Sequence, residues 1–123
     1  MDVAERTGKL SHAVRRQVGA VIVKDREIIT TGFNGMPRGV NDEINARHER
    51  PEKYHWFIHG EANAILKCAK NGHSCDGATI YQTHSPCRDC SKLILQSGLK
   101  RVVYLEDYKD LSGLEFFKSL KIQ

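Results

Sequence analysis

Short apolar runs and helical patterns alternate along this chain. Residues 18–23 and 27–31 are rich in β-branched side chains, which is typical of strands, and the polar segment 24–26 between them is short enough for a tight turn. These two runs therefore predict an antiparallel hairpin. Similar runs at 78–83 and 101–105 predict two further strands.

Helical spacing of apolar residues recurs around these strands. The predicted helices cover residues 3–14, 60–70, 85–97 and 112–120. The apolar face predicted for the second helix consists of Ala62, Ile65, Leu66 and Ala69. The third helix is predicted to have Ser85 as its N-cap, Pro86 as its first residue and Gly98 as its end.

The order of these elements determines the fold class. A strand that follows a crossover helix pairs in parallel with the strand before that helix, whereas the hairpin is antiparallel. The sheet must therefore be mixed. We predict an α/β fold, an α/β/α sandwich with a mixed sheet of four to five strands, in which only residues 121–123 remain for the fifth strand.

The long segment 34–57 has no regular spacing, and a loop of this length in a compact domain is more often functional than idle. The chain has 123 residues, of which 40% are hydrophobic and 28% charged, which predicts one globular domain spanning 1–123. No apolar run could cross a membrane, and the first ten residues are too polar for a signal peptide. We therefore expect a cytoplasmic protein without a membrane partner.

The net charge of +4 fits either a mildly basic surface or attraction of an anionic small molecule. The chain contains no long basic run of the kind that binds polymers. Nucleic acid is therefore not an expected partner.

The candidate chemistry lies in two short motifs. His59-Gly60-Glu61 opens one predicted helix, and Pro86-Cys87-Arg88-Asp89-Cys90 opens another. Together they match the H-x-E and P-C-x-x-C signature of zinc-dependent nucleobase deaminases. Zinc in a catalytic site takes three protein ligands and leaves a fourth position for water. We assign His59, Cys87 and Cys90 as ligands of one zinc ion per chain.

Glu61 is the predicted catalytic residue. It stands two positions beyond His59 on the same predicted helix, too close for both side chains to bind one metal ion readily. It is near enough to reach a water bound to that metal. Zinc would activate that water for attack on the carbon that bears an amino group, with Glu61 as the proton shuttle. A structural zinc site would need a fourth cysteine or histidine and would leave Glu61 without a role. A Cys-x-x-Cys pair by itself is also common in redox proteins, so the pair alone is weak evidence for zinc.

The other cysteines and histidines receive more ordinary interpretations. Cys68 is expected in the core, Cys75 as a buried or half-buried free thiol, and His84 near the mouth of the site. The histidines expected to be solvated are His12, His48, His55 and His73.

Through the motifs at 59–61 and 86–90 and the segments around them, the chain resembles the deoxycytidylate deaminase family of the cytidine deaminase superfamily. The likeness runs from about Arg15 to Lys109, through the segments 18–23, 31–39, 59–65, 77–81, 85–94 and 96–104. It implies hydrolysis of deoxycytidine monophosphate (dCMP) to deoxyuridine monophosphate (dUMP) and ammonia, which supplies a precursor for thymidylate synthesis.

The resemblance also implies substrate contacts. Asn34 would contact the sugar, and the backbones of Gly60 and Ser85 would hold the base. The residues implied for the phosphate are Arg15, Tyr108 and Lys109, with Arg16 as an alternative to Arg15.

Family members often form hexamers that deoxycytidine triphosphate activates and thymidine triphosphate inhibits. We accordingly expect a homo-oligomer, with a hexamer favoured, and Mg²⁺ beside any effector triphosphate. Phe33 stands where the family usually has a tyrosine linked to triphosphate binding, and Gly60 where it usually has alanine. Two alternatives therefore remain: an enzyme that triphosphates control and a constitutive enzyme. The long loop contains no cysteine, so a second, structural zinc is not expected.

Two other functions remain as alternatives. One is deamination of a different base, such as free cytidine, transfer-RNA adenosine, a pterin-like intermediate or a 5-substituted cytosine nucleotide. The other is a zinc module without activity that binds nucleic acid. Glu61 and the lack of a basic stripe interleaved with aromatic residues argue against the second.

Overall fold

The computed structural model describes residues 1–11, 17–35 and 58–106. Its elements, in chain order, are α1 (Asp2–Gly8), β1 (Gly19–Lys24), β2 (Glu27–Phe33), α2 (Gly60–Lys70), β3 (Thr79–His84), α3 (Arg88–Ser97) and β4 (Arg101–Glu106). This order confirms the prediction as far as β4. The first helix is shorter than predicted, because it ends at Gly8. The predicted helix 112–120 and the predicted fifth strand lie outside the described residues.

The four strands form one mixed sheet in the order β2-β1-β3-β4. β1 is antiparallel to both β2 and β3, whereas β3 and β4, which α3 connects, run in parallel. The predicted α/β fold with a mixed sheet is confirmed. Within the described ranges, no helix is both long and apolar enough to span a membrane.

The hairpin between β1 and β2 turns through two residues, Asp25 and Arg26. Their φ angles are 53° and 67°, so both adopt the left-handed conformation. A two-residue turn of this kind matches the right-handed twist of the strands on either side. The predicted tight turn is confirmed.

Two glycines show on which side of the sheet each helix lies. A Cβ atom on Gly19 in β1 would meet the backbone of α1, and one on Gly32 in β2 would meet the backbone of α2. Gly32 pairs with Ala20, the neighbour of Gly19, and successive residues of a strand point to opposite faces. α1 and α2 therefore cover opposite faces, which confirms the predicted α/β/α sandwich.

The main core lies between the sheet and α2 with α3. Its buried members are Ala20, Ile22, Ala64, Cys68, Cys75, Ala78, Ile80, Ile94 and Leu99. The apolar face predicted for α2 is wrong at two positions, because Leu66 is 57% exposed and Ala69 is also exposed. α2 instead buries Glu61, Ala64 and Cys68.

Gly32→Ala should destabilise the fold, because α2 lies directly on this strand. A Cβ atom at Gly32 would lie 2.5 Å from the carbonyl oxygen of Gly60 and 2.5 Å from the nitrogen of Ala64, so the helix would have to move. We expect the free energy of unfolding, measured by urea denaturation, to fall by about 1–3 kcal/mol. At Gly35 a Cβ atom would be 3.9 Å from the Phe33 ring, an ordinary contact, so Gly35→Ala is the control. Equal stability of the two variants would contradict this packing.

Candidate metal centre and active site

The two sequence motifs meet because α2 and α3 begin side by side. His59 is the N-cap residue of α2, and Cys87 is the N-cap residue of α3. The two helices also pack against each other. Both helix N-termini therefore carry their partial positive charge to the same place, where it favours anionic groups.

The start of α3 differs from the prediction. Cys87, and not Ser85, is the N-cap, and its sulfur accepts a hydrogen bond from the backbone N–H of Cys90 at 3.4 Å. Ser85 instead donates its backbone N–H to the carbonyl of Glu106 at 2.8 Å. Pro86 thus precedes the helix. A cysteine that would bind metal takes the capping role that sequence preferences assign to serine.

Three atoms that can bind a metal lie close enough together to share one tetrahedral ion. Nδ1 of His59 lies 3.3 Å from Sγ of Cys87 and 3.3 Å from Sγ of Cys90. All three atoms lie within 4.8 Å of one another. Zinc–nitrogen and zinc–sulfur bonds of usual length give a nitrogen–sulfur separation of about 3.6 Å in a tetrahedral site. The group therefore fits Zn²⁺, with a fourth position left over.

The electrostatics of the two sulfurs also fit a divalent cation. The hydrogen bond from the Cys90 thiol, with help from His59, lowers the pKa of Cys87 to about 4. The same hydrogen bond and burial raise the pKa of Cys90. Because the two thiols interact directly, ionisation of one opposes ionisation of the other, and a bound cation would supply the charge that allows both to be thiolates.

Glu61 lies beside these three ligand atoms and is almost completely buried. Its Oε1 lies 3.6 Å from Nδ1 of His59, and its Oε2 accepts a hydrogen bond from Nε2 of Gln82 at 3.0 Å. Burial raises the pKa of Glu61 above the ordinary value of 4.5. A buried carboxyl group with a raised pKa, next to a metal site, is well suited to accept and return a proton.

Asn34 and Gly60, two of the residues assigned to substrate, lie next to this group. The backbones of Gly35 and Ile58 form two hydrogen bonds, which bring Asn34 beside His59. A Cβ atom on Gly60 would lie 3.5 Å from the nitrogen of Asn34. The side chain of Asn34 is buried and accepts a hydrogen bond from the N–H of Val18 at 2.8 Å.

The remaining candidate residues lie at different places in the fold, and some lie outside the described residues. Nε2 of His84 lies 3.3 Å from Oε2 of Glu106, and its Nδ1 lies 2.9 Å from Oγ1 of Thr83. Cys68 and Cys75 are buried and His73 is exposed, as predicted. The candidates that lie outside the described residues are Arg15, Arg16, Tyr108, Lys109, His12, His48 and His55.

Gln82 is a residue of this site that the sequence interpretation missed. It stands in β3 and is fully buried, with its amide on the carboxylate of Glu61. The available signal was a long polar side chain within the predicted strand 78–83.

Comparison with known families is consistent with this geometry. Residues 1–106 match the cytidine and deoxycytidylate deaminase zinc-binding region. The chain belongs to this family. The resemblance inferred from the two motifs is thus confirmed.

Three relatives show how far the likeness extends. ComE operon protein 2 of Bacillus subtilis is 46% identical over 96 residues, which are 77% of this chain and 51% of that protein. Human deoxycytidylate deaminase is 36% identical over 113 residues, 87% of this chain and 62% of that enzyme. The chain thus spans between half and two thirds of these curated relatives. The crystal structure of dCMP deaminase from cyanophage S-TIM5 in complex with dCMP and dUMP superposes with a TM-score of 0.88 at 36% identity, covering 99% of this chain and 89% of that one.

Proposed function

We propose that this protein is a zinc-dependent enzyme that hydrolyses dCMP to dUMP and ammonia. The observation that carries the proposal is the group of His59, Cys87 and Cys90 with a buried carboxyl group, Glu61, beside it. The similarity to dCMP deaminases of human and cyanophage origin supports this choice of substrate. The region from 1 to 123 would form a single deaminase domain.

The proposed mechanism divides the work between metal and protein. When bound to His59, Cys87 and Cys90, zinc supplies Lewis acidity that makes water a nucleophile near neutral pH. Glu61 would take a proton from the attacking water and deliver it to the ring nitrogen beside the amino carbon. It would then take the second proton of that water, now on the oxygen bonded to the carbon, and pass it to the departing amino group, so that a carbon–oxygen bond replaces the carbon–nitrogen bond and ammonia leaves.

The substrate contacts rest on the family resemblance. Asn34 would contact the sugar, and the backbones of Gly60 and Ser85 would hold the base. The proximity of Asn34 to Gly60 supports placing sugar and base side by side above the metal group. The residues proposed for the phosphate are Arg15, Tyr108 and Lys109.

Assembly and regulation are proposed on the same basis. We infer a homo-oligomer, with a hexamer favoured, in the cytoplasm. Leu66 on α2 and Leu93 on α3 are 57% and 48% exposed, and an interface between subunits would cover such side chains. For regulation, two alternatives remain: control by triphosphates with Mg²⁺, and a constitutive enzyme. The product dUMP would feed thymidylate synthesis.

A preference for the nucleotide tests the proposed substrate. We expect dCMP to exceed deoxycytidine in kcat/KM by about 10- to 100-fold for each charge-assisted phosphate contact. Ammonia release should be measured on dCMP, deoxycytidine, 5-methyl-dCMP and adenosine with the same enzyme preparation. Equal turnover of nucleoside and nucleotide would place the protein among nucleoside deaminases instead.

A further inference from the structure

Gln82 is a polar side chain at a buried position where core packing alone would favour an apolar one. It shares its face of β1 and β3 with Ala20, Ile22 and Ile80, all fully buried and apolar. Gln82 is itself 0% exposed, and its Oε1 has no hydrogen-bond partner among the described residues. A buried acceptor without a partner costs about 1–3 kcal/mol, so an apolar side chain would serve the fold better. The glutamine therefore needs another explanation.

Its two amide N–H groups supply that explanation. Nε2 of Gln82 donates to Oε2 of Glu61 at 3.0 Å and to the backbone carbonyl of His84 at 2.7 Å. Both partners are acceptors, so the NH₂ group must face them and the amide cannot be flipped. The His84 carbonyl is part of the sheet and holds the amide in place. The amide in turn holds one oxygen of the Glu61 carboxylate.

We infer that Gln82 is a positioning residue for Glu61, an inference that rests on the proposed function. By binding Oε2, Gln82 leaves Oε1, the oxygen 3.6 Å from Nδ1 of His59, directed at the metal group. A carboxylate without this contact can rotate, and a displacement of about 1 Å in catalytic geometry can cost roughly 100-fold in rate. Gln82 acts on turnover through Glu61 and does not itself bind the substrate.

The first test is Gln82→Met, which keeps the length of the side chain and removes both donors. We expect kcat for dCMP to fall about 10- to 100-fold, with KM changed less than about 3-fold and zinc content unchanged. Ile80→Met is the matched control, because Ile80 is fully buried on the same face of β3 and is two residues away from Gln82. An equal loss of kcat in both variants, or no loss in Gln82→Met, would overturn the inference.

A double-mutant cycle separates positioning from general structural damage. If Gln82 acts through Glu61, Gln82→Met should cause no further loss of kcat in the Glu61→Gln background. Losses that simply multiply would show that Gln82 acts independently of Glu61, and the inference would be wrong. If the wild-type chain turns over dCMP and Gln82→Met keeps full activity, the inference about Gln82 is wrong and the proposed function still stands.

A measurement on the side chain itself keeps the inference testable if Gln82→Met does not fold or if no nucleotide is turned over. The side-chain NH₂ signals of Gln82 in ¹⁵N-labelled, zinc-loaded protein should exchange slowly with solvent and should shift in Glu61→Gln. They should stay unchanged in Ile80→Met. Signals that do not move between wild type and Glu61→Gln would contradict a hydrogen bond between the two side chains.

Discussion

Glu61→Gln should lower kcat for deamination by roughly 10²- to 10⁴-fold, the usual value of a general acid–base group. The amide has the same shape as the carboxyl group but cannot accept and return a proton. Because Glu61 is not among the three ligands, the variant should still hold one zinc ion per chain. Steady-state rates on dCMP, with zinc measured by elemental analysis, check both expectations.

The stability of this variant provides an internal control. Burial raises the pKa of Glu61 above 4.5, so in the metal-free chain its charged form weakens the fold progressively as pH rises from about that value. Glutamine carries no charge, and metal-free Glu61→Gln should therefore melt at or above the temperature of the metal-free wild type at pH 8. Glu27→Gln, an exposed position in the hairpin, should change neither rate nor stability. Near-normal activity of Glu61→Gln would exclude the proton-shuttle role.

Cys87→Ser should abolish both zinc binding and activity. Serine is a good N-cap, so the start of α3 should survive while the soft thiolate ligand is lost. The loss of zinc affinity should exceed the roughly 10- to 100-fold typical when only a partner of a ligand is changed. Zinc retained after dialysis against a mild chelator, together with rates on dCMP, measures the effect.

Cys75→Ser is the matched control for this experiment. Cys75 is buried, and its sulfur donates to the carbonyl of Ser97 at 3.6 Å and takes no part in the metal group. This variant should keep one zinc ion and full turnover. Full zinc retention in Cys87→Ser, or equal losses in the two variants, would contradict the assigned ligands.

Much of the fold follows from patterns that are local in the chain. The hairpin was predictable because β-branched runs flank a short polar segment, and α2 because its apolar spacing ends at Asn71-Gly72. The buried face of α2 was not predictable. Glu61 belongs to that face with Ala64 and Cys68, and hydrophobicity alone cannot place a carboxyl group on a buried stripe.

The candidate site shows the same division. His59, Glu61, Cys87 and Cys90 were found because their chemistry has a fixed spacing along the chain. Gln82 was missed because its contact with Glu61 depends on how β3 packs against α2, which no local spacing records. Cap preferences favour Ser85 and so predict too early a start for α3, whereas here a cysteine sulfur accepts the capping hydrogen bond.

Product analysis with dCMP and the wild-type chain, loaded with one equivalent of zinc, tests the proposed deamination directly. We expect dUMP and ammonia to form in equal amounts over many turnovers, and activity to disappear on chelation and return with added zinc. A chain that holds its zinc and converts no dCMP to dUMP, while it deaminates another base on the same panel, would contradict the proposed function.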